Sequence, residues 1–321
     1  MFDTTHFPKA KKIWYMGKIL DWNEVMVHSQ SHALHYGSSV FEGIRAYRTE
    51  SGPAVFRLDE HIHRFMHSAR VLKMKIPYTE SEIVDAIKLV IRENRLEAAY
   101  IRPLMLYTYG NLGLIPKACP VELIISTWEW GAYLGKESKH GVRVYILPWR
   151  RIHHSQHHMG AKLGGNYVQS TFCGMIAREK GYDEGIFLNL EGNVAEGPGE
   201  NILIVKDGVV TTNDRTESIL EGITRTTVLR IAQDLGIRTE IRPITKGDLC
   251  EADEVMFTGT AVEVVPIIRI TDGSVPGEPD KECVVADGQP GPLTKKLRAA
   301  YMETVSGKRP EYEGWLTYVN S

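Results

Sequence analysis

Cysteine is scarce in this chain, with 4 among 321 residues. Cys119, Cys173, Cys250 and Cys283 lie far apart and form no Cys-x-x-Cys pair. That argues against a zinc ribbon or a thioredoxin-type site, and it is the pattern expected of reduced thiols in a cytoplasmic protein. Neither sign of charge prevails: the formal net charge is -2, so neither nucleic acid nor an anionic membrane is expected as a partner. The N-terminal segment lacks an apolar run long enough for a signal peptide or a membrane anchor. There is no internal repeat and no low-complexity tract. What is present, 43% hydrophobic and 24% charged residues, describes a soluble globular protein long enough for two domains, each with its own core.

Short apolar runs separated by turn residues fill the first part of the chain. Ile13-Trp14-Tyr15 and Lys18-Ile19-Leu20 flank a Met-Gly turn, and Ser39 to Tyr47 and Ala54 to Leu58 flank Glu50-Ser51-Gly52-Pro53. All read as antiparallel strands. Asp59 is placed to cap a helix with Ile62, Phe65, Met66, Ala69 and Leu72 on one face, and Thr79 with Glu82 forms a capping box ahead of a second. Tyr100 to Tyr109 and Val121 to Trp128 add strands, so residues 1–131 read as a small α+β domain. A short, polar, glycine-bearing stretch makes 132–140 a linker, and 141–321 a larger, β-rich domain. In it, Val142 to Leu147 and Ile186 to Leu190 are strand-like, and Tyr167 to Lys180 is helical. Ile202 to Lys206 and Val209 to Thr212 pair across Asp207-Gly208, a two-residue hairpin signal. Helices are expected from Thr224 to Gly236 and from Pro292 to Val305. Strand is expected from Val255 to Ile270, broken at Thr258-Gly259-Thr260.

One stretch stands apart from this pattern: Gly160-Ala161-Lys162-Leu163-Gly164-Gly165-Asn166-Tyr167. A solvated surface lysine needs no small neighbours. Glycines let a bulky group approach the main chain, and a buried lysine amine held neutral can attack a carbonyl to form an imine. Pyridoxal phosphate is the cofactor that most often requires such an amine; a lysine beside an ordinary glycine turn is the other reading of this stretch alone.

Further pieces follow in order. Glu196 lies in Glu196-Gly197-Pro198-Gly199-Glu200-Asn201, a turn before a strand, where a carboxylate can face a pyridine nitrogen and keep it protonated. Gly222-Ile223-Thr224-Arg225 opens a helix, whose exposed amides and dipole suit a phosphate; simple N-capping by Thr224 would need no ligand. Gly259-Thr260-Ala261 is a second glycine-threonine turn. Arg64 shares a helix face with His61 at i,i+3.

With Tyr36-Gly37-Ser38-Ser39-Val40-Phe41-Glu42-Gly43-Ile44-Arg45, Tyr100-Ile101-Arg102-Pro103-Leu104 and Trp130-Gly131-Ala132-Tyr133-Leu134-Gly135, these motifs closely resemble, in kind and order, the branched-chain amino acid aminotransferases of the fold type IV pyridoxal-phosphate enzymes. The resemblance covers nearly the whole chain. It implies two α+β domains with pyridoxal 5'-phosphate between them. Lys162 would be the Schiff-base lysine and proton shuttle. Tyr167 would bond the cofactor's phenolic oxygen and Glu196 its ring nitrogen. Arg64, Ile223, Thr224 and Thr260 would hold the phosphate, and Leu220 would pack on the ring. Tyr100 with Thr260 and Ala261 would receive the substrate α-carboxylate. Tyr36, Phe41, Gly43, Leu114 and Tyr133 would wall the substrate pocket, and Arg102 would pair with the second carboxylate of glutamate. The family also implies a homodimer, or an assembly of dimers, with Tyr36 and Leu114 reaching the neighbouring subunit.

The expected reaction is transfer of the amino group of Leu, Ile or Val to 2-oxoglutarate, with amino acids and 2-oxo acids as the expected small-molecule partners. A D-amino acid or (R)-amine transaminase, or an aminodeoxychorismate lyase, is the alternative within the fold. His153-His154-Ser155-Gln156-His157-His158 departs from the expected pattern. It invites a zinc or nickel site, or even a non-catalytic metal-binding protein, but has no local cysteine or carboxylate, so no metal is expected.

Overall fold

The structure, a computed structural model, describes residues 10–131 and 134–320. The chain divides into two compact units: the first takes the chain up to Trp130 with Ala161–Asn166 and the chain from Glu303 onward, and the second takes Gly131–Gly160 with Tyr167–Met302.

The first unit is built on an antiparallel sheet. β1 (Lys12–Tyr15) and β2 (Lys18–Asp21) form a hairpin whose turn residues Met16 and Gly17 both have positive φ. β3 (Ser39–Phe41), β4 (Ile44–Thr49), β5 (Gly52–Phe56), β6 (Ala99–Tyr107) and β7 (Val121–Trp128) follow. The spatial order is the C-terminal strand Leu316–Tyr318, then β5, β4, β6, β7, β1 and β2, with β3 also on β6. Three helices accompany the sheet: α1 (His32–Tyr36), α2 (Leu58–Val71) and α3 (Glu80–Glu93). The apolar faces of α2 and α3 (Ile62, Phe65, Ala69, Ile83, Ile87, Val90) join Val40, Ile44, Val55, Ile101 and Ile125 in one core. Each valine, isoleucine or phenylalanine among them contributes about 1.5–3 kcal/mol when fully buried.

Local signals set some boundaries and tertiary pairing sets others. The Thr79–Glu82 capping box is present in full at the start of α3. Asp59, by contrast, lies inside the first turn of α2; the N-cap position is Arg57, left-handed at φ 48° and without a side-chain capping bond. Its amide donates to the Trp315 carbonyl and its Nε to Glu60 Oε1, so a contact from the far C-terminus decides where α2 begins. The run from Ser39 to Tyr47 is two strands, β3 and β4, with Glu42 and Gly43 between them and the Glu42 amide on the Pro103 carbonyl of β6.

The second unit carries a mixed sheet. Its strands are β8 (Val142–Arg150), β9 (Glu184–Leu188), β10 (Asn201–Lys206), β11 (Val209–Thr212), β12 (Thr239–Ile241), β13 (Glu254–Gly259), β14 (Glu263–Asp272) and β15 (Lys281–Val284). They are ordered β12-β11-β10-β13-β14-β8-β9, with β15 on β14. The pairs β11/β12, β14/β8 and β8/β9 are parallel. The Asp207-Gly208 turn has φ of 49° and 74°, as a type I′ hairpin requires. Helices α4 (Tyr167–Glu179), α5 (Ile223–Asp234), α6 (Lys246–Glu251) and α7 (Pro292–Val305) complete the set.

The sequence reading assigns all of 141–321 to one domain, whereas the structure gives Ala161–Asn166 and the chain from Glu303 to the first unit. Backbone pairing accounts for both assignments. Leu163 bridges Val40, Lys162 accepts from the Phe41 amide, and Leu316–Tyr318 pairs with β5.

The expectation of four reduced cysteines is corrected. Cys250 and Cys283, 33 residues apart, are joined as a disulfide, while Cys119 and Cys173 are free and buried. Spacing along the chain could not reveal this, because the end of α6 and β15 meet only in the folded unit. Closing a loop of that length stabilises by about 3–4 kcal/mol. Cys250→Ser is therefore expected to lower Tm by roughly 5 °C in a thermal melt; an unchanged Tm would show that the bond staples nothing. Among the described residues no helix is long and apolar enough to cross a membrane.

Candidate active site

In the first unit the glycines around Lys162 serve the chain's own backbone. A Cβ on Gly164 would lie 2.2 Å from Ser39 Oγ, and the Gly165 amide donates to the Gly37 carbonyl. The lysine segment is thereby laid against β3 and the residues before it. Both peptide groups of Lys162 are bonded: its amide donates to Ser68 Oγ at 2.9 Å and its carbonyl accepts from the Phe41 amide at 3.2 Å. The side chain is half-buried rather than buried, and its Nζ lies 4.9 Å from the Phe41 ring centroid.

The same ring carries a second cation. Arg102 Cζ is 4.8 Å from the Phe41 centroid and 5.4 Å from that of Tyr100, and Arg102 Nη2 donates to the Tyr100 hydroxyl at 3.4 Å. Alternation along β6 puts Tyr100 and Arg102 on one face, as two-residue spacing predicts. Gly43 is required here, since a Cβ would lie 2.1 Å from the Tyr100 hydroxyl. Arg102 Nε is buried without a hydrogen-bond partner, a donor suited to a carboxylate.

Arg64, on α2, is engaged by a residue that the sequence reading passes over within its own motif. Glu42, fully buried, accepts from Arg64 Nε at 2.6 Å, from Arg64 Nη2 at 2.9 Å and from His61 Nδ1 at 2.8 Å. Because a carboxylate can only accept, His61 must carry its proton on Nδ1. Burial alone would raise the Glu42 carboxyl, but the Arg64 charge and the bonds from His61 and Arg64 outweigh it and hold the group well below the usual carboxylate range. Burial lowers His61, with the Arg64 and Lys162 charges acting in the same direction against Glu42. His61 is therefore a neutral donor to an ionised acid.

Tyr36 and Leu114 are not part of this group. Tyr36 is 46% exposed, with its hydroxyl on the Leu112 carbonyl, and Leu114 is 80% exposed. Tyr133 lies outside the described residues.

In the second unit Glu196 is 4% exposed and meets a residue that no local signal marks. Arg151 donates to Glu196 Oε1 from Nε at 3.0 Å and from Nη2 at 2.9 Å. Arg151 is itself held by Gln169 and Ser170 of α4, the helix that Tyr167 opens. Glu196 Oε2 accepts from the Leu220 amide at 3.1 Å. Asn201 ties the next piece down, donating to the Leu220 carbonyl and accepting from the Gly222 amide. The N-cap of α5 is Gly222 and not Thr224, which is the second residue of the helix and is 2% exposed. No acidic side chain occupies the first turn of α5. Arg225 points into the unit, to the Asn213 carbonyl and Thr212 Oγ1. Thr260 and Ala261 follow the end of β13, where Thr258 Oγ1 is buried and unpartnered.

These donors fit pyridoxal phosphate. A helix start with a glycine N-cap and no acid in its first turn can take a dianion, Glu196 is a buried, cation-supported carboxylate that would suit a ring nitrogen, and Thr258 has an orphaned hydroxyl. Within the histidine run, His153 lies 2.6 Å from Ser155 Oγ through Nδ1 and 3.7 Å from a Glu191 carboxylate oxygen through Nε2, and His154 Nδ1 lies 3.4 Å from Ser218 Oγ. No group of three metal-ligating side chains occurs among the described residues.

Comparison with known proteins agrees with this chemistry. The family profile "Amino-transferase class IV" matches residues 39–270. The branched-chain-amino-acid aminotransferase of Pseudomonas aeruginosa is 42% identical, covering 96% of this chain and 97% of its own. That of Escherichia coli is 40% identical over 97% of this chain and 98% of its own. Among solved structures, the branched-chain amino acid aminotransferase of T.th. with pyridoxamine 5'-phosphate superposes with a TM-score of 0.90 at 46% identity, covering 97% of this chain and 99% of its own. The same enzyme complexed with N-(5'-phosphopyridoxyl)-L-glutamate gives 0.89 at 44%, with the same coverage. By profile, sequence and fold together, the chain belongs to the class IV aminotransferases, in their branched-chain-amino-acid branch.

Proposed function

We propose that the protein transfers the amino group of leucine, isoleucine or valine to 2-oxoglutarate, using pyridoxal 5'-phosphate held by Lys162, Arg64, Tyr167, Glu196, Leu220, Ile223, Thr224 and Thr260. When bound, the cofactor supplies a carbonyl for the amine and an electron sink for the α-carbon. The chain supplies the rest. The Lys162 amine takes the proton from the substrate α-carbon and returns it. Glu196, with Arg151 behind it, holds the proton on the ring nitrogen. Arg64 and the start of α5 bind the phosphate dianion, and Tyr100 with the Thr260-Ala261 turn orients the α-carboxylate.

The observation that carries the choice of substrates is the shared Phe41 ring. One face of this site is aromatic, suited to an aliphatic side chain, while Arg102 offers a buried, unpartnered Nε beside it. A glutamate side chain left there without a partner would cost several kcal/mol. Arg102→Leu is therefore expected to weaken glutamate and 2-oxoglutarate by about 2–4 kcal/mol in kcat/KM while leucine changes little. Half-reaction kinetics with each amino acid on one mutant tests this; equal losses would assign Arg102 to the scaffold. Profiling both enantiomers of each donor separates this reading from a D-amino acid or (R)-amine transaminase.

The working unit we assign is a homodimer. Leu34, Tyr36, Tyr109, Leu112, Leu114 and Ile115 are all exposed apolar residues of the first unit, surface that a subunit contact would take out of water. Sedimentation at assay concentration tests it, and a fully active monomer would refute it. The cytoplasm is the compartment this reading assigns. Trapping Cys250 and Cys283 by alkylation in intact cells reports whether their bond exists there, and export of the protein to the medium would contradict the assignment.

A further inference from the structure

The hydrogen bonds around Lys162 and Arg64 form one closed circuit. The Lys162 amide donates to Ser68 Oγ at 2.9 Å, and Ser68 Oγ donates to the Arg64 carbonyl at 2.9 Å, one helical turn back along α2. The Arg64 guanidinium grips Glu42 through two nitrogens. Next to Glu42, the Phe41 amide donates back to the Lys162 carbonyl at 3.2 Å. Ser68 and Glu42 are both 0% exposed, and His61, which bonds Glu42 from the same helix, is 1% exposed.

We propose that Glu42 and Ser68 are positioning residues that hold the Arg64 guanidinium and the Lys162 main chain in fixed register. The inference rests on the reading of Arg64 as a phosphate ligand and of Lys162 as the amine. Stability alone does not explain the arrangement. A buried ion pair gains little over apolar side chains of the same volume, because desolvation cancels most of the attraction. A two-point grip does fix the plane of a guanidinium, which a single contact leaves free to turn. Arg64 needs that restraint if it is to meet a phosphate oxygen in one orientation. Lys162 needs a rigid main chain if its amine is to reach one carbon atom and return a proton to it. Ser68 couples the two demands, since its one hydroxyl accepts from the lysine and donates to the arginine. A hydrophobic residue would break the circuit at that point. The circuit lies wholly in the first unit.

Holoenzymes of the wild type, Ser68→Ala, Glu42→Asp and Arg64→Leu, each loaded with pyridoxal 5'-phosphate or with pyridoxal, are diluted and the release of cofactor is timed. The pH midpoint of the bound cofactor's visible absorbance and the Tm are recorded alongside. Ser68→Ala and Glu42→Asp should each release the phosphorylated cofactor about 10-fold faster or more, and pyridoxal with less than about a 3-fold change. Ser68→Ala should also move the absorbance midpoint by about half a pH unit or more, because the amine has lost its fixed place. A residue with a merely structural role would lower Tm and alter both cofactors alike. Ser68→Ala removes a single oxygen, so the answer does not depend on the Glu42 variant folding. If Arg64→Leu releases the phosphorylated cofactor fast while Ser68→Ala matches the wild type in release and midpoint, the positioning role is wrong and the Arg64 reading stands. If Arg64→Leu also matches the wild type, the phosphate reading fails and the inference falls with it.

Discussion

Lys162→Ala should reduce turnover of leucine with 2-oxoglutarate by about 10⁴-fold or more, the upper range for a positioned proton-transfer group. On the role proposed for it, the loss should fall on kcat, because the amine would act in the transition state and contribute little to holding the amino acid. The fold should survive. The bonds that fix this segment, to Ser68, Phe41 and Gly37, all use backbone atoms of residues 162–165, and the lysine side chain itself is only half-buried. A thermal melt beside steady-state kinetics separates the two possibilities. An alanine variant with more than about a hundredth of the wild-type rate would show that another base moves the proton.

The second large effect concerns a residue far from any motif. Arg151→Met should destabilise the protein by about 3–5 kcal/mol, because it leaves Glu196 buried with its cation removed. Both groups are 4% exposed, so water cannot take over the role of the guanidinium. A carboxylate stranded in this way takes up a proton, and a neutral acid no longer holds a proton on a pyridine nitrogen. Turnover should therefore fall together with stability. Glu196→Gln with Arg151→Met should recover part of the stability, since both charges are then gone, but none of the turnover. Urea unfolding of the single and double variants measures the coupling. Additive stability losses would mean that the two side chains do not work as a pair.

Comparison of these two residues shows what can be read from the sequence. The Lys162 stretch is conspicuous through its glycines, yet alone it reads as well as a lysine beside a glycine turn, and only the motifs that follow in order point it to a cofactor. The Thr79–Glu82 box and the Asp207-Gly208 turn are legible because each is closed within four residues. Arg151 is 45 residues from Glu196, and nothing beside it distinguishes it from any other arginine near a strand end. Its role exists only once β8 and the turn before β10 are folded together. Glu42 stands inside a motif that the sequence displays, and helical spacing puts His61 and Arg64 on one face. The acid that both of them face is identified only by the structure. Local signals misplace the start of α2 because Arg57 answers to Trp315, across most of the chain. The short elements α1, α6, β12 and β15 carry too few residues for periodicity to register. Likewise Cys250 and Cys283 cannot be paired from sequence spacing.

The central claim, that Lys162 is the lysine that holds pyridoxal phosphate, has a direct measurement. Borohydride reduction of the native protein, followed by proteolysis and mass spectrometry, records which lysine carries the cofactor. The account predicts a single labelled peptide containing Gly160-Ala161-Lys162-Leu163-Gly164. A label on any other lysine, or a native protein that takes no label when saturated with cofactor, would contradict it.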